Sequence, residues 1–378
     1  MRALAAYAAG AALIAAASAA SAFEWAVPAW LPPPPVPADN AMTPEKVELG
    51  RRLFYDSRLS ADGTVACASC HEQSRAFTDG RPTSVGIHGT VGKRNAPSLG
   101  NVGYLPTLTW ANPIVKSLEF HALIPLFSEA PDEMGNAGRE HALFARIMDD
   151  SYYRNAFRVA FPDKPEASLF TITRALAAFQ RSLISAGSAY DRYKYEGDRN
   201  AISPAARRGE ALFFDHRTEC YHCHIGFNFT NNLVTARSAF AETAFHNTGL
   251  GAADGVAEFT LRARDRGRFR TPSLRNVAVT APYMHDGRFT TLEQVIRHYA
   301  AGGEAARNGT PDPNRDALIV GFQISETEIA DLIAFLDSLT DEAFLANPVF
   351  ADPWPEGHPA RSGRVAPESL HPHERNRK

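Results

Sequence analysis

The most specific chemistry in this chain sits in two copies of one pattern. Cys67-Ala68-Ser69-Cys70-His71 and Cys220-Tyr221-His222-Cys223-His224 together contain all four cysteines. Cys-x-x-Cys-His is the covalent haem attachment signal: two thiols form thioethers with the porphyrin edge, and the adjacent imidazole reaches the iron. A single copy would also suit zinc or a redox dithiol. Two copies, each followed directly by His and each inside a repeat, favour haem. Cys67, Cys70 and His71 then hold one haem c, and Cys220, Cys223 and His224 hold a second. No cysteine is left for a disulfide framework.

What two such irons do depends on their opposite faces. Pro282-Tyr283-Met284-His285-Asp286-Gly287 precedes a segment in which Leu292, Val295, Ile296 and Tyr299 fall on one helical face. Tyr299 therefore points inward, although spacing alone reads more simply as a core tyrosine. His298 lies off that stripe.

The elements that position these residues recur. Thr43-Pro44, Gly50 and Leu53-Phe54 precede the first haem motif; Ser203-Pro204, Gly209 and Leu212-Phe213 precede the second. In each, Thr or Ser caps a helix and Pro opens it. Arg94-Asn95-Ala96-Pro97-Ser98-Leu99 is echoed by Arg270-Thr271-Pro272-Ser273-Leu274. The expected fold is mainly α: two cytochrome c-type domains related by internal duplication, over residues 43–200 and 201–345, each with one covalent haem. Leu169, Ile172, Leu176, Phe179 and Leu183 mark an apolar helical stripe. Ser325 and Glu328 form a capping box with Ile324 and Ile329 as its staple; Thr290 and Glu293 form another, on a helix that Gly302-Gly303 ends.

The chain has 378 residues, 44% hydrophobic and 21% charged, with a net charge of −3. That excludes a disordered chain and a polybasic nucleic-acid binder. Residues 1–22 read as a signal peptide, with Arg2, an Ala-rich run and Ala20-Ser21-Ala22 as the cleavage site. Their removal takes away one basic residue, leaving a charge of about −4. No other stretch is apolar enough to span a bilayer, so the mature protein is expected to be periplasmic. Residues 23–42, with Pro32-Pro33-Pro34-Pro35, read as an extended leader without its own core. Residues 346–378 read as an extended or disordered tail.

The sequence resembles the bacterial di-haem cytochrome c peroxidases and the MauG superfamily. The residues that carry the resemblance are Gly50-Arg51-Arg52-Leu53-Phe54-Tyr55-Asp56, Arg94-Asn95-Ala96-Pro97-Ser98, Phe245-His246-Asn247-Thr248-Gly249 and the Thr280-to-Gly287 segment, covering about 40–345. In the peroxidases the second haem takes a Met at the position that is Tyr299 here. The same substitution marks the MauG branch, whose members oxidise residues of a partner protein. Trp110 in Leu108-Thr109-Trp110-Ala111-Asn112-Pro113, and Ile124-Pro125-Leu126-Phe127 with Glu133-Met134-Gly135, look most like the MauG-like MbnH family. MbnH converts a partner tryptophan to kynurenine.

The resemblance implies a set of roles. Glu133 would be the acid/base for peroxide cleavage on the open side of the first haem. Pro125 would lie beside it, and His121 stands where the family carries Gln. His88 lies near a resting-state ligand of other members, and Trp110 would relay electrons between the haems. Thr218 stands where MauG has a surface Trp. A calcium ion would take Asn95, Thr280 and Pro282 as ligands, two of them through backbone carbonyls. Met is a soft donor that raises a haem potential, whereas tyrosinate is a hard anion that favours higher-valent iron. Tyr299 thus points to an enzyme that uses hydrogen peroxide to reach a high-valent di-haem state and oxidises a partner protein residue, a tryptophan. The first alternative is a cytochrome c peroxidase fed by a small cytochrome or cupredoxin. The second is a non-enzymatic di-haem electron carrier.

Overall fold

The computed structural model describes residues 23–241, 243–251, 253–309 and 312–361. The signal segment 1–22 and residues 362–378 lie outside them. Among the described residues, eight helices are seven residues or longer: α1 (Pro44–Phe54), α2 (Glu140–Met148), α3 (Ser151–Ala160), α4 (Leu169–Ser182), α5 (Ala189–Tyr195), α6 (Pro204–Phe213), α7 (Leu292–Ala300) and α8 (Glu326–Asp337). The named strands are two short ones, β1 (Phe245–His246) and β2 (Phe269–Arg270), paired antiparallel with Phe245 opposite Arg270. The fold is mainly helical, with long loops.

Helix starts follow from capping chemistry. Thr43 accepts from the Lys46 N–H, Ser203 from the Ala206 N–H and Ser325 from the Glu328 N–H. On α7 the box sits one residue later than expected: Thr291 caps, and Gln294 rather than Glu293 reaches back. The carboxamide of Gln294 accepts from both the Thr290 and Thr291 N–H groups.

One crossing occurs in each half. Alpha1 meets α4 where Gly50 lies against Ala175; a Cβ there would fall 2.5 Å from the Ala175 carbonyl carbon and 2.9 Å from the Phe179 Cβ. In the C-terminal half α6 meets α8 where Gly209 lies against Asp331, with the corresponding distances 2.5 and 2.8 Å. Around these crossings lie two cores. Leu53, Phe54, Ile172, Leu176 and Phe179 centre the first. Phe213, Phe229, Leu332 and Phe335 centre the second. Leu169, placed on the α4 stripe by its spacing, is instead exposed, because it is the first residue of the helix and overhangs the core.

Both flanking segments pack against the helical body. In the leader Leu31 is buried, Trp30 stacks on Tyr195 at 4.0 Å, and the Tyr104 hydroxyl donates to the Pro32 carbonyl. Beyond residue 345, Phe350, Trp354 and Ala360 are buried against the N-terminal core. Trp354 stacks on His358, donates to the Arg52 carbonyl and lies under the Arg52 guanidinium. The tail is therefore anchored through residue 361.

Candidate functional site

Each Cys-x-x-Cys-His motif opens into a cavity, and each histidine is held alike. The His71 Nδ1 lies 2.7 Å from the Phe77 carbonyl oxygen, and the His224 Nδ1 lies 2.9 Å from that of Phe229. A backbone acceptor on Nδ1 fixes the tautomer and leaves Nε2 as the free donor atom. Both phenylalanines sit at positive φ, +62° and +49°, and both are buried. The recurring Pro-Ser motifs support these turns: the Ser98 hydroxyl donates to the Ala76 carbonyl and the Ser273 hydroxyl to that of Asn228, each one residue before the phenylalanine. Burial lowers the pKa of both imidazoles, that of His224 to about 4. They are therefore neutral, as an iron ligand must be.

The N-terminal cavity is lined by Cys67, Cys70 and His71 and also by His121, Pro125 and Glu133. The three residues assigned by resemblance to the peroxide side are thus brought to one place. Burial alone raises the Glu133 carboxyl. Burial, then the charges of His71 and Arg270, push His121 down to about 4. Gly86 lines the same cavity, and a Cβ there would lie 2.6 Å from the Glu133 Cα; the Ile87 N–H donates to the Glu133 carbonyl. This close approach seats the Glu133 loop. His88 is elsewhere: it is exposed, lines neither cavity, and its Nδ1 lies 3.9 Å from Asp62. A left-handed turn at His88 (φ +57°) carries its ring outward, so it is not placed to ligate.

The C-terminal cavity is lined by Cys220, Cys223, His224 and Tyr299. Leu292, Val295 and Ile296 line it too, so the α7 stripe faces inward as its period requires. Burial is the first cause that raises the Tyr299 phenol, and the Cys223 and Cys220 thiols add to it. No cation supports a phenolate there; a ferric ion bound beside it would supply one. Met284 also lines this cavity. His298 turns away, its Nε2 2.9 Å from the Thr248 carbonyl oxygen.

Trp110 lies on the wall of the C-terminal cavity facing the N-terminal half. Its indole N–H donates to the Asn95 carbonyl, and its own carbonyl accepts from the Arg270 N–H. Arg270 is 3% exposed and makes no ion pair; its Nε donates to the Thr109 carbonyl and its guanidinium lies 5.9 Å from the Trp110 ring. Burial brings its pKa down to about 10. A buried guanidinium with no ion-pair partner among the described residues is suited to receive an anion. A haem propionate would be such an anion. Asn95, Thr280 and Pro282 line the same cavity.

Sequence reasoning missed Gln180, Arg270 and His246. Gln180, on α4, is buried and lines the N-terminal cavity; a polar residue four places after Leu176 was the available signal. His246 lines the C-terminal cavity, its Nδ1 2.6 Å from Asp316, which leads in raising its pKa to about 9.

Comparison with known proteins identifies the family. The family model described as di-haem cytochrome c peroxidase matches residues 44–200. The methylamine utilization protein MauG of Methylorubrum extorquens is 36% identical over 312 residues, covering 82% of each chain. The cytochrome c551 peroxidase of Nitrosomonas europaea is 31% identical, covering 82% of this chain and 84% of its own. The crystal structure of a MauG-like protein associated with microbial copper homeostasis superposes with a TM-score of 0.84 at 44% identity, covering 88% of this chain and all of that one. The chain belongs to the di-haem cytochrome c peroxidase and MauG family, and it is an oxidoreductase of the peroxidase type.

Proposed function

We propose that this chain is a periplasmic enzyme of two duplicated cytochrome c domains, 43–200 and 201–345, that uses hydrogen peroxide to oxidise a tryptophan of a partner protein. The observation that carries this reading is Tyr299 on the wall of the cavity that holds Cys220, Cys223 and His224. When bound, the two haems supply the redox chemistry, taking two oxidising equivalents from one peroxide and storing them across the pair.

The chain's own residues prepare that chemistry. His71 and His224, aimed by the Phe77 and Phe229 carbonyls, would each offer Nε2 to the iron of its haem. Glu133 takes the proton from the near peroxide oxygen and returns it to the far one, so that water leaves. His121, neutral at physiological pH, keeps that side free of a competing positive charge. Tyr299, as phenolate, would be the second donor at the C-terminal site. Trp110, on the wall between the two halves, relays one electron at a time. The partner's tryptophan would give up two electrons and two protons per peroxide, which with the remaining oxygen make the second water. Asn95, through its side-chain oxygen, and the backbone carbonyls of Thr280 and Pro282 would hold a structural calcium.

The test is stoichiometric peroxide added to the haem-loaded protein, with Tyr299→Phe as control. The wild type is expected to form a long-lived species two electrons above the ferric state, and the variant is not. Identical decay of both within the mixing time would refute the role of Tyr299. Relatives of the cytochrome c peroxidase type favour a second reading. Fast steady-state turnover with a reduced small cytochrome would establish it.

A further inference from the structure

At the rim of the C-terminal cavity, the turn that leads into its haem motif gathers His216, Glu219 and His222; Glu219 also lines that cavity, whereas the two histidines do not. One ligand atom from each lies within 4.8 Å of the other two. The His222 Nε2 is 2.6 Å from the Glu219 Oε2, and the His216 Nδ1 is 3.8 Å from its Oε1. The Glu219 Oε2 is buried, yet it accepts no hydrogen bond. The imidazole nitrogen therefore lies beside that oxygen without aiming a proton at it. Two ligands of one metal ion are disposed in this way: with bonds of about 2.0–2.2 Å at tetrahedral or square angles, neighbouring donors stand roughly 3 Å apart. The observed separations bracket that value.

The local structure holds the three residues in place. Glu219 sits at φ +55° and its N–H donates to the Asp215 carbonyl, so the turn is closed before the haem motif begins. The Tyr221 ring stacks on His222 at 4.2 Å, and its hydroxyl lies 3.0 Å from the His216 Nδ1. One tyrosine thus packs beside both imidazoles, and its hydroxyl must release the His216 Nδ1 for that atom to bind a metal ion.

We propose that His216, Glu219 and His222 form a surface site for one divalent late first-row metal ion, with copper(II) bound most tightly. Two imidazoles and one carboxylate are a borderline donor set, poorly suited to calcium or magnesium, and copper heads the affinity order for such sets. The thiols that would select copper(I) or a closed zinc site, Cys220 and Cys223, are committed to the porphyrin. The His216 side chain is 86% exposed and that of His222 39%, so water completes the coordination and the ion exchanges with solvent. This assignment rests on the haem reading only in reserving those two cysteines.

The experiment titrates copper(II) sulfate into EDTA-stripped, fully haem-loaded protein, read by calorimetry and by electron paramagnetic resonance. One equivalent is expected to bind ahead of all others, with hyperfine structure from two nitrogens. Because His222 lies inside the haem motif, the deciding variants are His216→Ala and Glu219→Gln; haem content and the peroxide reaction stay unchanged in His216→Ala, which lies outside the cavity, and are measured in Glu219→Gln so that copper affinity is compared at equal haem loading. Each is expected to weaken the site at least tenfold. The proposal is overturned if no single tight equivalent appears. It is also overturned if that equivalent persists unchanged in the double variant. Either failure leaves the peroxide chemistry, measured separately in the same samples, unaffected.

Discussion

Replacement of Glu133 by Gln is the most informative single perturbation of the N-terminal cavity. The carboxamide keeps the shape and volume of the carboxylate but cannot carry a proton from one peroxide oxygen to the other. Positioned acid–base groups contribute about 10²–10⁴ in rate. At 1.36 kcal/mol per tenfold, the variant should lose roughly 2.7–5.4 kcal/mol of barrier lowering. The assay is stopped-flow mixing of haem-loaded protein with peroxide, followed in the Soret band. The second-order constant should fall by about 100-fold to 10,000-fold, with haem content unchanged.

The pH profile supplies an independent check. Burial alone lifts the Glu133 carboxyl above its ordinary 4.5. The base form is therefore lost earlier on acidification, and the wild-type rate should decline through an inflection above 4.5. His121, pushed down to about 4, would place its own inflection lower. Glu133→Gln should abolish the upper inflection only. Gly86→Ala should slow the reaction while keeping that inflection, because its Cβ would displace the Glu133 backbone without removing the carboxylate. The reasoning fails if Glu133→Gln reacts within about threefold of wild type, well short of the general-base range, or if the upper inflection survives.

Tyr299→Met should raise the reduction potential of the C-terminal haem, since a thioether replaces an anionic donor; potentiometry giving an unchanged or lower value would contradict phenolate ligation. Gly209→Ala should destabilise the C-terminal half by about 1–3 kcal/mol or more, because the new Cβ meets the α8 backbone, and urea unfolding will measure it. Trp354→Ala should cost about 3–5 kcal/mol, seen as a lowered thermal midpoint; a shift under about 1 °C would mean that the tail is not part of the cooperative unit. The His246–Asp316 pair stabilises over a bounded pH window. His246, raised to about 9, contributes fully below about 6.5 and loses this as pH climbs through 9. Asp316, lowered by the same contact, contributes above the usual carboxylate range and loses this as pH falls through its depressed value. Asp316→Asn should therefore destabilise most between those limits, by denaturant midpoint. The Cys223 thiol, second cause of the His246 rise, drops out once it is a thioether.

Helix starts were legible because capping is local: Thr43, Ser203 and Ser325 each act within their own first turn. That His71, His224 and Tyr299 would line cavities was legible because the haem motif is contiguous and the α7 stripe is periodic. The packed leader and tail were not. Leu31, Phe350 and Trp354 are single anchors at irregular spacing, fixed by tertiary contact, so no period announces them. Gln180 was hidden by the opposite effect: it occupies a core position on a stripe otherwise read for its apolar members. Arg270 lay within a recognised repeat, but only the fold reveals that its guanidinium is buried without a carboxylate.

The two halves repeat one construction and then diverge where chemistry demands it. In both, a histidine after the second cysteine is aimed by the carbonyl of a phenylalanine at positive φ, over a glycine-mediated helix crossing. Five residues beyond the backbone that meets that glycine, α4 carries Gln180 and α8 carries Leu336, and each lines its own cavity. The N-terminal cavity adds Glu133 and His121, groups that accept or release protons. The C-terminal cavity adds Tyr299 beside Val295, Ile296 and Leu336, a phenol among aliphatic side chains. Peroxide cleavage moves protons and needs the first setting. On the proposed reading, retention of an oxidising equivalent belongs to the second, and Trp110 carries electrons between the halves. Two copies of one scaffold would then let a peroxide be consumed in one place and its oxidising power be spent in another.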